Sequence, residues 1–106
     1  MPISQELKKH FQAIGHHLKP VVIIAKNGLS EGVISELERA LLDHELIKIK
    51  LAISSVDERK ELLNQLSQSI ACETIQNVGK TALIYKKAAK PNKKLSNILR
   101  YQKQQA

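Results

Sequence analysis

Cysteine and aromatic residues are scarce in this chain, and each scarcity excludes a class of protein. Cys72 is the single cysteine, so no internal disulfide can form and a reducing compartment is the simpler expectation. The aromatic residues are Phe11, Tyr85 and Tyr101, too few for a platform that stacks several bases. The longest apolar run, residues 21–25, is far too short to span a bilayer, and the first residues do not resemble a secretory leader. We therefore expect a cytoplasmic protein with no membrane partner.

The residue types that carry catalysis or bind metals form no converging pattern. The histidines at positions 10, 16, 17 and 44 are not spaced four residues apart, and neither a Cys-x-x-Cys nor a His-Glu-x-x-His motif occurs. A Walker loop and a full Gly-x-Gly-x-x-Gly motif are also missing. We predict no enzyme activity, no cofactor, no metal site and no small-molecule substrate.

Positive charge is concentrated at the end of the chain. Residues 1–79 contain nine Lys and Arg against ten Asp and Glu, whereas residues 80–106 contain eight Lys and Arg and no acid. Such segregation is typical of proteins that bind a polyanion, with nucleic acid the first candidate and an acidic membrane surface the second. A solubilising basic tail is the alternative. We predict one folded domain over residues 1–87 and a basic C-terminal tail over residues 88–106.

Three segments have apolar residues at intervals of three and four, which predicts amphipathic helices. The first covers about residues 4–15, and the others begin after Ser30 and Ser55. Each segment starts at a serine (Ser4 in the first), and serine is a preferred N-cap because its hydroxyl accepts a hydrogen bond from an orphan helix amide.

Four further segments have the composition of strands. Residues 20–24 are apolar throughout, which predicts a strand buried on both faces. Residues 46–53 alternate, with Lys48 and Lys50 on the polar face. Two short β-like runs flank Gly79-Lys80 and predict a hairpin. The order α-β-α-β-α-β-β predicts a compact two-layer α/β domain whose four-stranded mixed sheet has its first two strands parallel.

The corner Ala25-Lys26-Asn27-Gly28 connects the first strand to the second helix. A strand, a short loop and a helix can together hold a phosphate, since the first helix amides lack internal partners and the helix dipole adds about half a positive charge. Gly28 lets the backbone approach an anion closely, and Lys26 adds a cation. A plain Asn-Gly turn explains the same four residues equally well.

Three stretches, in this order and spacing, extend the interpretation beyond the corner: "HLKPVVIIAKNGLSEGV", "HELIKIKLA" and "GKTALIYK". Together they resemble the CRM domain (chloroplast RNA splicing and ribosome maturation), most closely its stand-alone bacterial YhbY-like form, over about residues 4–87. The resemblance implies a fold similar to the C-terminal domain of translation initiation factor three. It also implies RNA binding, association with precursors of the large ribosomal subunit through ribosomal RNA, and no catalysis. We expect a monomer.

In that family the strand-to-helix loop follows a Gly-x-x-Gly pattern, analogous to the backbone clamp of KH domains. Ala25 stands at the first glycine position and Gly28 at the second. If position 25 requires a positive φ, alanine costs about 1 kcal/mol; if it requires only a small side chain, alanine costs nothing.

The lysines beyond the corner complete the predicted RNA-binding set. Solvated lysines that deter sheet aggregation are the alternative for the two on the second strand. A different class of function, an adaptor that docks on acidic proteins through its basic tail, also remains open. The predicted RNA-binding residues are Lys19, Ala25, Lys26, Asn27, Gly28, Lys48, Lys50, Lys80 and Lys86.

Overall fold

The computed structural model describes residues 4–25, 28–90 and 95–98 of the chain. Its elements follow the predicted order: α1 (Gln5–Gly15), β1 (Pro20–Ile24), α2 (Glu31–His44), β2 (Leu46–Leu51), α3 (Val56–Ile70), β3 (Glu73–Val78) and β4 (Thr81–Tyr85). The strands form one mixed sheet in the order β1-β2-β4-β3. Strand β1 is parallel to β2, and β4 is antiparallel to both β2 and β3. The predicted α/β fold with a four-stranded mixed sheet is confirmed.

Each helix begins at the serine that the sequence indicates. The hydroxyls of Ser4, Ser30 and Ser55 accept hydrogen bonds from the amides three residues later, at 3.1 to 3.3 Å. Such a cap satisfies one orphan amide and stabilises a helix by about 1 kcal/mol. Within the described ranges, no helix has both the length and the apolar character needed to cross a membrane.

The sheet separates two apolar clusters. Helices α2 and α3 cover one face, where Ile47, Ile49 and Leu51 of β2 are fully buried. Helix α1 covers part of the other face by packing Phe11 and Ile14 against side chains from three strands. Those strand side chains are Leu46, Ile75 and Leu83.

Gly15 lets the last turn of α1 approach the sheet closely. A Cβ atom at Gly15 would lie 2.7 Å from Cδ2 of Leu83, which is itself buried. The contact holds the end of α1 over the middle of β4, so the face of the sheet beyond Leu83 stays uncovered by this helix.

Strand β1 is buried on one face only, so the prediction of burial on both faces is wrong. Val22 and Ile24 are 3% and 0% exposed, whereas Val21 and Ile23 are 49% and 62% exposed. The reason lies in the topology: β1 is at the edge of the sheet, and α1 packs over the three other strands. An apolar run cannot by itself reveal that its second face has no covering layer.

The chain after β4 returns to the junction between α2 and β2, where Glu45 anchors it. Glu45 is 5% exposed and has a positive φ of 62°. Its carboxylate accepts hydrogen bonds from the amide of Ala88 at 3.0 Å and from the hydroxyl of Ser96 at 2.8 Å. The side-chain amide of Asn97 donates to the carbonyl of Leu46 at 2.7 Å. Part of the segment predicted as a tail therefore packs on the domain, and the division of the chain at residue 87 stays a prediction.

Candidate nucleic-acid interface

Three segments that carry predicted site residues meet at one end of the sheet, which we call the loop end. The amide of Ala52 donates to the carbonyl of Ile24 at 2.8 Å, and the amide of Leu51 donates to the carbonyl of Lys80 at 2.6 Å. These bonds place the loop after β1, the end of β2 and the β3–β4 turn side by side. Lys50 precedes Leu51, so it shares the loop end with Lys80.

The corner after β1 is a hydrogen-bonded turn. The amide of Gly28 donates to the carbonyl of Ala25 at 2.9 Å, and the amide of Ser30 donates to the carbonyl of Gly28 at 3.2 Å. Lys26 and Asn27 lie outside the described residues. Because the Gly28 amide is already bonded within the turn, an anion at this corner must be held by other donors.

Among the described residues of the corner, the one whose backbone conformation requires glycine is the fourth, Gly28. Gly28 has a φ of 72°, in the left-handed region that favours glycine. Among the described non-glycine residues, positive φ occurs at Glu45 and Ala71, so Ala25 keeps an ordinary backbone conformation. Alanine at position 25 therefore carries no left-handed strain.

The first turn of α2 offers two amides toward the corner. The amide of Val33 is capped by Ser30, and the amide of Ile34 makes the first helical bond. The amides of Glu31 and Gly32 are too close to the start of the helix to have an intrahelical acceptor. The exposed carboxylate of Glu31 suits the helix dipole but opposes an anion at the same place.

One row of side chains crosses the uncovered part of the sheet near the loop end. The register pairs Ile23 with Lys50, Lys50 with Thr81, and Thr81 with Val78. In-register neighbours point to the same face, and the strands are about 4.8 Å apart, so the row is roughly 15 Å wide. Ile23 and Val78, at its two ends, are 62% and 61% exposed. We call this surface, together with Lys48 and Gln76 in the next row, the open face.

Most of the predicted RNA-binding residues lie at the loop end or on and beside the open face. Lys48 lies two residues before Lys50 and on the same side of β2. Lys19 immediately precedes Pro20, whose partner in the register is Lys48. Ala25, Gly28, Lys50 and Lys80 thus lie at the loop end, with Lys48 and Lys19 following along β1 and β2.

Lys86 lies at the opposite end of the sheet. Its amide donates to the carbonyl of Glu45 at 2.9 Å, beside the start of β2. Five residues of extended chain lie between it and Lys80, so the two residues are about 20 Å apart. The structure therefore does not bring Lys86 together with the other predicted site residues, and its proposed contact must involve a different part of a bound molecule.

A hollow in the open face involves residues that the sequence did not single out for binding. It has a volume of about 190 Å³ and lies between His16, the C-cap of α1, and strands β2, β4 and β3. Gln76 and Thr81 line it together with Lys48. The sequence could have indicated Gln76 and Thr81, because a hairpin with its turn at residues 79–80 pairs Val78 with Thr81. The side chains of Thr81, Val78 and Gln76 then point to the same side of the sheet as the side chain of Lys50.

One buried group and one half-buried group outside this surface have perturbed acidity. Burial raises the pKa of the Cys72 thiol, although its backbone hydrogen bond and the charge of Lys86 act in the opposite direction. Burial also raises the pKa of Tyr85, and the carboxylates of Glu45 and Glu73 raise it further. Both groups are neutral at physiological pH, so the Cys72 thiol is not activated as a nucleophile.

Comparison with known proteins gives the family. The sequence model of the CRS1/YhbY (CRM) domain matches residues 3–86. The chain belongs to this family. The CRM domain thus accounts for all three helices and all four strands described above, and the resemblance noted in the sequence is confirmed.

Relatives of this CRM domain protein match most of its length. A Pseudomonas aeruginosa protein named "Probable RNA-binding protein" is 57% identical over 101 residues, which are 95% of this chain and 97% of that one. A Haemophilus influenzae protein named "RNA-binding protein" is 34% identical over 84 residues, 79% of this chain and 85% of that one. The solution structure of a Staphylococcus aureus protein superposes with a TM-score of 0.74 at 27% identity, covering 90% of this chain and 98% of that one.

Proposed function

We propose that this CRM domain protein binds RNA without catalysis, through the loop end and the open face. The observation that carries the proposal is the convergence of Lys50, Lys80 and the corner residues Ala25 and Gly28 at one end of the sheet, with Lys48 and Lys19 beside them. The relatives' names support RNA as the ligand.

The chemistry of the surface suits an RNA backbone. The six described residues that define the open face comprise two lysines and no acid. Phosphates near Lys50 and Lys80 would be neutralised by their ammonium groups, and the first amides of α2 add the partial charge of the helix terminus. No base-stacking aromatic residue belongs to this set, so binding depends mainly on phosphate contacts.

We further propose that the RNA is ribosomal, in precursors of the large ribosomal subunit, and that a cytoplasmic monomer binds it. This part rests on the resemblance to stand-alone CRM proteins. Sedimentation of cell extract on a sucrose gradient tests it: the protein should travel with large-subunit precursors, and RNase treatment should release it to the top of the gradient. A protein that stays at the top in untreated extract contradicts the ribosomal assignment.

Paired charge variants test the location of the interface. Changing Lys50 and Lys80 to glutamine removes two phosphate partners, so RNA affinity at 0.1 M salt should fall by about 25- to 60-fold. The slope of log K against log salt should become shallower by about 1.4 to 1.8. Fluorescence anisotropy with a labelled RNA measures both quantities.

The matched control has the same net charge and leaves the interface intact. Lys60 and Arg39 are exposed on α3 and α2, which cover the other face of the sheet. Changing both to glutamine should leave the affinity within about threefold of the wild type. Equal losses in the two double variants would mean that net charge alone drives binding, and would refute the proposed interface.

An adaptor that uses its basic tail is the competing function, and one further variant separates the two. Changing Lys90, Lys93 and Lys94 to glutamine removes tail charge while keeping Ala88 and Ser96. The proposed interface predicts that most RNA affinity survives. Complete loss of binding to RNA would favour the tail.

A further inference from the structure

We propose that the hollow in the open face is a subsite for one unpaired nucleotide, whose base enters the hollow; this rests on the proposed RNA binding. The hollow, of about 190 Å³, is more than ten times larger than the space that one water needs, about 10–15 Å³. It also lies beside the lysines that would hold the flanking phosphates.

The floor of the hollow is formed by β4. The side chain of Leu83 packs beneath the end of α1, whereas that of Ala82 belongs to the cluster on the opposite face, so Ala82 contributes its backbone. Both residues are only 2% exposed, and polar atoms therefore make up most of the lining. Several of these polar atoms are hydrogen-bond acceptors, which repel a phosphate but can bind the N–H groups on the edge of a base.

The rim of the hollow is polar and contains no acid among its described residues. Gln76 offers an amide that both donates and accepts, His16 offers an imidazole, and Lys48 donates from its ammonium group. The hydroxyl of Thr81 donates to the carbonyl of Val78 at 2.9 Å, which leaves its lone pairs free to accept. This combination of donors and acceptors matches the edge of a base, which carries both kinds of group, better than a phosphate, which only accepts.

The subsite selects for unpaired RNA. In a duplex each base is stacked and paired, and extruding one costs a few kcal/mol. A single strand presents its bases without this cost, and the exposed side chains of Ile23 and Val78 can contact its riboses or neighbouring bases. Electrostatics alone would favour the duplex, because its phosphate contacts carry the larger salt coefficient. A preference for single-stranded RNA would therefore have to come from contacts with the base, because phosphate contacts favour the duplex.

The test compares a labelled 12-nucleotide unpaired RNA with the blunt duplex of the same sequence. Wild-type protein should bind the single strand at least tenfold more tightly at the same salt concentration. Gln76→Ala and His16→Ala should each weaken single-strand binding by about threefold to tenfold, the equivalent of one lost hydrogen bond, and change duplex binding by less than twofold. Gln68→Ala, on an exposed position of α3, is the matched control and should change neither.

A second measurement needs no variant and so does not depend on variant folding. On titration with hexauridylate, the side-chain amide resonances of Gln76 should shift in the nitrogen–proton correlation spectrum of the wild type, and those of Gln68 should not. Unshifted Gln76 resonances at saturation, or a duplex bound as tightly as the single strand, would overturn the subsite while leaving RNA binding itself intact. No binding of either RNA would instead refute the proposed function.

Discussion

Glu45 joins the C-terminal segment to the domain, and replacing it should strongly destabilise the protein. Its carboxylate accepts two hydrogen bonds, from the Ala88 amide and the Ser96 hydroxyl, at 3.0 and 2.8 Å. Hydrogen bonds to a charged group contribute about 1.5–3 kcal/mol each. Ser96 is fully buried, so water cannot replace the lost acceptor without a rearrangement. Glu45→Ala should therefore lower the free energy of unfolding by about 3–6 kcal/mol.

Comparing alanine with glycine at position 45 separates the contribution of the Glu45 side chain from that of backbone strain. Its φ of 62° is unfavourable for any residue with a Cβ, at a cost of about 1–2 kcal/mol, and alanine retains that cost. Glycine removes the strain, but it also increases the entropy of the unfolded chain, which lowers the free energy of unfolding by about 0.5–1 kcal/mol. Glu45→Gly should therefore be more stable than Glu45→Ala by up to about 1.5 kcal/mol, although it loses the same hydrogen bonds.

Urea unfolding followed by circular dichroism measures the three free energies. The matched control is Glu36→Ala, on an exposed position of the same helix, which should change stability by less than about 0.5 kcal/mol. Limited trypsin digestion provides a local readout, since release of the segment around Ala88 should expose Lys86 and Lys87 to cleavage in Glu45→Ala. Two results would refute the reasoning: a Glu45→Ala stability within about 1 kcal/mol of the wild type, or an alanine variant more stable than the glycine variant.

Three predictions concern the corner after β1 and the first turn of α2. Gly28→Ala should cost about 1 kcal/mol from the positive φ alone, because a Cβ there meets no atom within 4 Å, and urea unfolding should show this loss. Ala25→Gly should not raise RNA affinity in anisotropy measurements, since Ala25 has no strain to relieve; a fivefold gain would show that the bound loop needs a glycine there. Glu31→Gln should raise RNA affinity about twofold, by removing a carboxylate near the phosphates, and cost about 0.3–1 kcal/mol of stability at the helix N-terminus. An unchanged affinity in Glu31→Gln would place the RNA away from the first turn of α2.

Local patterns were sufficient to predict the elements of this fold. The serine caps, the alternation of Lys48 and Lys50 with apolar neighbours, and the Gly79-Lys80 turn depend on contacts within a few residues. Such contacts are fixed by residue type and spacing, so the element order and the mixed sheet followed from them. The family resemblance then added RNA as the expected ligand.

Contacts between distant residues could not be predicted in the same way. Burial of β1 on both faces was wrong because the exposure of Ile23 depends on where α1 packs, and Gly15 sets that position through Leu83. The anchoring of Ala88 and Ser96 by Glu45 spans 43 and 51 residues and has no local pattern.

The sequence by itself determined the elements, their order and the cationic character of the surface, because periodicity, capping and charge are properties of the chain alone. Tertiary structure decided which lysines act together. Lys50 and Lys80 are neighbours because Leu51 bonds to Lys80 across the sheet, and Lys86 is remote because β4 carries it to the opposite end. The same strand register forms the open face and its hollow, since Thr81, Gln76 and Lys48 meet only when β2, β4 and β3 pair.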